Sequence, residues 1–180
     1  LFNEKVKKIS NQVIFAGQLL RFGTSRNIDF LISCFEDEKL KNFELKIVGG
    51  PNEYIKLLKS ERNKPIPENV HFLGRLNHKD TIKIMLESEI GILINNENNH
   101  SKEFTSPLKY FEYLAANLKI LAVNFESHKI LPFSENILFF ENDQIDSFIS
   151  SLLNSKKTTP VDKKYYDEFS LSERAKKITE

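Results

Sequence analysis

The sequence predicts a doubly wound α/β domain, a parallel sheet of about six strands with helices on both faces. Three observations carry this. Short, almost wholly apolar runs alternate along the chain with longer stretches whose apolar residues fall at helical spacing. Strands that are apolar on both faces belong in a sheet covered from both sides, as parallel sheets are. Several of the runs close on glycine, at Gly17, Gly49 and Gly74, where the chain turns out of the sheet.

In order, the first strand covers residues 13–16, and a helix is expected over 27–40, with Ile28, Leu31, Ile32 and Phe35 in phase. A second strand, 44–48, runs into Gly49-Gly50-Pro51, and a second helix covers 52–62. A polar, proline-bearing link leads to the third strand at 70–73. Asn77 then caps a helix reaching Ser88, with Asp80 three positions inside in the manner of a capping box. The fourth strand is 90–94, and the longest polar loop, 95–105, follows it. A helix over 106–117 starts on Ser106, a favoured cap, and Pro107, suited to the first helical position; Asn117 can take the left-handed conformation that stops it. Strands at 119–123 and 136–140 and a helix at 143–153 complete the core. Residues 1–12 read as a leader or linker from a preceding domain, 13–154 as the folded unit, and 155–180 as a polar tail with a helix from Ser172.

With 180 residues, 40% of them hydrophobic and 28% charged, the chain can bury one good core. Its 26 basic and 25 acidic residues give +1, too balanced for a general nucleic-acid or membrane-surface binder, so a basic site has to be local. The single Cys34 stands in an apolar run and excludes a disulfide framework within the chain. No signal peptide and no run long enough to span a bilayer occurs, and the reading is cytoplasmic.

Several chemistries lack their motifs. The loop after the first strand reads Gly17-Gln18-Leu19-Leu20-Arg21-Phe22-Gly23, without the glycine spacing of a dinucleotide fold, and there is no phosphate-binding P-loop or nucleophile elbow. His71, His78, His100 and His128 are dispersed, so no metal site is expected. What remains is local positive charge near strand ends: Arg21, Arg26, Arg75, Lys102 and Lys109. In such folds ligands bind beyond the carboxyl ends of the strands. Lys109 and Glu112 are three apart near a helix start that carries unpaired N–H groups. Spacing alone leaves two readings open, an anion-facing lysine or a simple ion pair.

At this point the segment Ser106-Pro107-Leu108-Lys109-Tyr110-Phe111-Glu112-Tyr113-Leu114-Ala115 resembles the S-P-L-K-x-F-E-Y-x-A block of the retaining GT-B glycosyltransferases, in their C-terminal, donor-binding domain. This is the glycosyl transferases group 1, or family 4-like, group, which includes bacterial capsule and lipopolysaccharide sugar transferases. The run from Arg26 to Phe35 is similar to the family's K-G-x-D-x-L-I-x-A-F, and the strands ending at Gly49 and Gly74 to its second and third.

The resemblance implies a hexosyltransferase-like enzyme that moves a sugar from a UDP- or GDP-sugar to a glycan or lipid-linked acceptor with retained configuration. The acceptor would bind a domain preceding this one, and the isolated chain would not turn over. The full-length protein could then lie peripherally at the inner membrane face. No metal, cofactor or nucleic acid is implied. Arg26 and Lys109 would face the diphosphate, Glu112 the ribose, and Arg75 and Leu76 the base. Gly17, Gln18, Gly49, Ser106, Pro107 and Leu108 would complete the donor site. Three positions depart from the pattern: Gln18 stands where an arginine is usual, Asn27 where a glycine is, and Phe104 where the first of two glutamates is. The adjacent Glu103 is the carboxylate left to reach the donor sugar. These departures keep open a second reading, a non-catalytic α/β module that binds a nucleotide or a protein partner.

Overall fold

The structure, a computed structural model, describes residue 2 and residues 6–21, 23–96 and 108–162. Its elements run β1 (Gln12–Ala16), β2 (Leu20–Arg21), β3 (Thr24–Ser25), α1 (Ile28–Cys34), β4 (Glu44–Val48), α2 (Asn52–Glu61), β5 (Val70–Gly74), α3 (His78–Glu87) and β6 (Ile90–Leu93), then α4 (Leu108–Ala115), β7 (Lys119–Val123), α5 (Glu126–Lys129), β8 (Ile137–Phe140) and α6 (Ile145–Asn154). Six strands form one parallel sheet in the order β5-β4-β1-β6-β7-β8; β2 and β3 make a separate antiparallel hairpin. The chain builds outward from β1 to β5, then returns to lay β6 on the other side of β1 and builds outward again. The order therefore reverses between β1 and β6, and the crevice above their carboxyl ends is where such folds bind ligands.

Every residue of β1 is buried, which is why the strand reads as continuously apolar rather than alternating. Val13 and Phe15 face one layer, with Ile28, Leu31 and Ile32 of α1, Ile55 and Leu58 of α2, and Phe148 and Leu152 of α6. Ile14 and Ala16 face the other, with Ile82 and Met85 of α3 and Tyr110, Tyr113 and Leu114 of α4.

Two details fix the centre of the sheet. Pairing between β1 and β6 runs through Val13 with Ile90 and Ile14 with Gly91. Beyond it the fully buried Tyr113 hydroxyl takes over, accepting from the Ala16 N–H at 3.0 Å and donating to the Ile92 carbonyl at 3.3 Å. Burial holds this phenol's pKa well above the ordinary tyrosine range, so it stays a neutral donor. At the carboxyl edge the loops are tied by backbone bonds: Gly17 N–H to Val48 O at 2.9 Å, Leu19 N–H to Gly50 O at 2.9 Å and Gly49 N–H to Gly74 O at 2.8 Å.

The expected boundaries shift where side chains of distant segments meet. The helix read over 27–40 stops at Cys34, and a short 3-10 turn, Glu38–Leu40, follows under an Asp37 cap, which lets both Phe35 and Leu40 stay buried. Asn27 is left-handed (φ 61°), and so is Asp143 (φ 55°), which delays the start of α6 to Ile145. The two are joined by a 2.6 Å hydrogen bond from Asn27 Nδ2 to the Asp143 carboxylate. Between β7 and β8, where the sequence predicts no element, lies the short helix α5. The expected Asn77 cap is present, accepting from Asp80 N–H at 2.9 Å, and Asn117 is left-handed (φ 55°) after α4. Leu108, at the start of α4, is 70% exposed. Among the described residues no helix is long and apolar enough to cross a membrane. The expected helix from Ser172 lies outside them.

Candidate functional site

The crevice at the switch point is a cleft of about 450 Å³. The end of β1 contributes Gly17 and Gln18, the end of β6 contributes Ile94 and Asn95, the first turn of α4 contributes Leu108 and Lys109, and α5 contributes His128. Arg26, where the β2–β3 hairpin returns to the sheet, lies across it. A Cβ placed on Gly17 would meet Arg26 Nη1 at 2.9 Å, so the guanidinium lies directly over a residue with no side chain. The hairpin is pinned by the Arg26 N–H bond to Leu19 O at 2.9 Å. A second hollow of about 380 Å³ adjoins through Gln18, lined by Gly50, Pro51, Asn52 and Arg75.

Two cations thus reach one cleft from different elements, Arg26 from beside β1 and Lys109 from α4. Such a pair at a helix start favours a bound anion. Lys109 Nζ donates to Glu112 Oε2, the partner one turn along its own helix. Glu112 Oε1 meets His78 Nε2 at 3.6 Å, beyond hydrogen-bond length. Of the two readings left open by the spacing, the ion pair is present, and the paired lysine lines the cleft.

Of the residues singled out in the sequence, Gly17, Gln18, Arg26, Leu108 and Lys109 come together in the cleft, and Gln18 and Arg75 line the second hollow. Gly49 lies behind them, its backbone tied to Gly74 and packed against Gly17. Leu76 is half-buried against the core between the sheet and α3 and α4. Glu112 stands one turn behind Lys109. Glu103, Ser106 and Pro107 lie outside the described residues.

Two polar lining residues, Asn95 and His128, were not anticipated. Asn95 is 4% exposed and His128 only 1%. Asn95 opens the polar loop after β6, which is a weak signal; His128 had none, since its placement depends on α5. The His128 ring stacks on Phe125 and donates from Nδ1 to Val123 O at 2.7 Å. Burial lowers its pKa below the ordinary 6.5, opposed in part by that hydrogen bond.

The sign for stability follows. Below pH 6.5 the unfolded chain binds a proton that the folded imidazole refuses, so stability falls as pH drops; above 6.5 this group contributes nothing. His128→Asn, which keeps an N–H for the Val123 carbonyl, should lose less stability than the native chain between pH 7 and pH 5.5. Urea midpoints at the two pH values measure this, and equal losses would overturn it.

A larger hollow, about 610 Å³, lies between α1 and α2. There the half-buried Arg62 is held by ion pairs to Asp29 and Glu36, and Lys64 also pairs with Glu36, at 2.8 Å. The basic groups of this hollow are engaged by carboxylates of the same wall.

Comparison with solved structures finds the same architecture in several sugar transferases. A glycosyltransferase from Rickettsia africae matches with a TM-score of 0.60 at 15% identity, over 81% of this chain and 37% of that one. WaaG, a glycosyltransferase involved in lipopolysaccharide biosynthesis, matches at 0.57 and 16% identity, over 82% and 38%. The catalytic domain of a cholesterol-α-glucosyltransferase from Helicobacter pylori matches at 0.54 and 14% identity, over 91% and 98%. The chain thus spans little more than a third of the length of the first two, and at these identities the likeness concerns the fold. Comparison with curated proteins finds no match. The family model of the glycosyl transferases group 1 matches residues 2–152, which takes in the whole sheet and both walls of the cleft. The chain belongs to that family.

Proposed function

We propose that the switch-point cleft is the donor site of a retaining glycosyltransferase and holds the diphosphate of a UDP- or GDP-sugar. The observation that carries this is the convergence of Arg26 and Lys109 on one cleft, joined through Gln18 to a second hollow of a size for a base. Departure of a nucleoside diphosphate builds negative charge at the bridging oxygen, and preorganised cations stabilise that charge where it develops. Arg26 is in place across the cleft, and Lys109 reaches it by exchanging part of its bond to Glu112 for the phosphate. Glu112, whose Oε1 lies 3.6 Å from His78 Nε2, is then the acceptor for the ribose hydroxyls. Arg75 lines the side where the base would sit.

Acceptor binding, and with it turnover, is assigned to a further domain preceding this one, with the protein cytoplasmic or peripheral at the inner membrane face. The acceptor is a glycan or lipid-linked sugar of a surface polysaccharide. The Lys109–Glu112 pair favours a second reading, a non-catalytic module, because each group already satisfies the other.

Thermal unfolding with UDP, GDP, CMP and dTDP separates the two. A ligand at about ten times its Kd adds roughly 1.4 kcal/mol, a shift of about 3–6 °C for a domain of this size. The donor-site reading expects one nucleoside diphosphate to stabilise the native chain and the shift to disappear in Lys109→Ala and Glu112→Ala. No shift with any of the four would overturn it. A shift that survives both substitutions would move the site elsewhere.

A further inference from the structure

The hollow between α1 and α2 meets the switch-point cleft at a corner built from two short segments. Arg26 lines the cleft and its neighbour Asn27 the hollow; Asn95 lines the cleft and its neighbour Asn96 the hollow. The corner is pinned by the Asn96 side-chain amide, which donates to the Ser25 carbonyl. A ligand in the hollow would therefore lie end to end with one in the cleft. At about 610 Å³ the hollow is the larger of the two, inside the about 300–1,000 Å³ range of ligand-holding clefts.

Its charges neutralise one another. Asp29, Glu36 and Glu61 line it with Arg62 and Lys64. Arg62 joins Asp29 and Glu36, and donates to the Asp29 backbone carbonyl at 3.3 Å, while Lys64 holds Glu36 at 2.8 Å. An anion would have to displace a carboxylate from either cation, and a cation would have to compete with Arg62, so neither charged class is favoured. The network presents instead a row of fixed hydrogen-bonding groups. Asp29, Ser33 and Glu36 follow one face of α1 at spacings of four and three, and the guanidinium reaches all three, with Ser33 Oγ at 3.5 Å. Asp29 is 60% exposed although paired, so hydroxyls can reach its carboxylate. Asn63 and Asn96 add amides that both donate and accept, the match for adjacent hydroxyls of a sugar ring. Tyr54, half-buried against the core, contributes an aromatic body with a polar tip, which suits the C–H face and hydroxyl rim of a pyranose.

We propose that this hollow is a glycan-binding groove for a short neutral oligosaccharide, whose leading end points across the Asn27–Asn96 corner toward the donor cleft. The direction rests on the donor-site reading above; the groove itself does not. The glycan is held by hydrogen bonds to Asp29 and the asparagines and by contact with the Tyr54 ring. It gives the domain that holds the donor a grip of its own on the growing chain, in addition to the acceptor site assigned to a preceding domain.

The test is an NMR titration of the ¹⁵N-labelled 180-residue chain, without nucleotide, with maltotriose, cellotriose, mannotriose and chitotriose, and with trigalacturonic acid as the charged comparison. At least one neutral trisaccharide should bind with a Kd of about 0.1–10 mM, moving the amide signals of Asp29, Tyr54 and Asn63 and leaving those of Gly17 and Lys109 in place. Its affinity should be unchanged between about 50 and about 500 mM salt, since no net charge is paired. Tyr54→Ala should weaken it about 10-fold and Asp29→Ala about 3- to 10-fold, with the response to UDP and GDP unaltered. Tyr54→Phe keeps the ring against the core and should retain the affinity within about threefold.

Binding of none of the four neutral glycans overturns the groove. So does binding that moves Gly17 and Lys109 instead, tighter binding of trigalacturonic acid, or full affinity in both alanine variants. A glycan in the groove of a chain that binds neither UDP nor GDP supports the groove and overturns the donor-site reading, so the two stand or fall on separate measurements.

Discussion

Gly91→Ala should destabilise the chain by about 4 kcal/mol, a fall in Tm of roughly 8–16 °C for a domain of this size. A Cβ at this position in β6 would stand 2.6, 2.7 and 2.9 Å from three ring atoms of Tyr113. Overpacking of a core costs about 1–3 kcal/mol when neighbours can yield. Here the ring cannot yield freely, because it is fully buried and its hydroxyl is held at both ends, by Ala16 N–H and Ile92 O. A shift large enough to admit the methyl breaks those bonds and leaves a buried backbone donor and acceptor unmet, at about 1–3 kcal/mol each. Thermal melts of Gly91→Ala and of Gly91→Ala with Tyr113→Leu provide the check. The smaller side chain should recover part of the loss, and a single variant that melts within about 2 °C of the native chain would contradict the packing described.

The second large effect is expected at Gly49. A Cβ there would lie 1.7 Å from Gly17 O, a backbone atom that no rotamer change can move, and the residue's φ of 152° is one that other residues rarely adopt. Retreat of the Gly17 loop would cost the bonds from Gly17 N–H to Val48 O and from Leu19 N–H to Gly50 O. Gly49→Ala should therefore cost at least about 3 kcal/mol. Because Gly17 and Gln18 line the cleft, it should also abolish the nucleotide-induced thermal shift under conditions where the variant is still folded. Gly23→Ala is the control: its φ is 76°, but a Cβ there meets nothing within 4 Å, and only the backbone cost of about 1 kcal/mol is expected. Equal melting temperatures for the two variants would refute the assigned close approach.

The parallel sheet was legible in the sequence because burial on both faces removes the alternation that a half-exposed strand would show. β1 is the clearest instance, apolar from Val13 to Ala16 with every residue buried. Helix ends were less legible where left-handed residues other than glycine set them. Asn27 and Asp143 are 116 positions apart, and only their contact in the fold accounts for both the late start of α6 and the start of α1. The site divides in the same way. Gly17, Gln18, Arg26 and Lys109 could be found because each sits at a strand or helix end that the periodicity defines. His128 could not, since nothing local in Phe125-Glu126-Ser127-His128 announces a helical turn that carries the imidazole over the neighbouring strand end.

The tyrosine hydroxyl between β1 and β6 has a consequence for how α4 is oriented. Lys109 and Tyr113 are four residues apart, one above the other along the helix. Tyr113 is fastened to the backbone of two strands at the one place where the sheet divides, so the helix can neither roll nor slide along its axis without releasing them. The lysine at the mouth of the cleft is thereby indexed to the sheet itself through a rigid aromatic lever. The aim of the cation and the closure of the central seam are two properties of a single side chain, and selection on either acts on both.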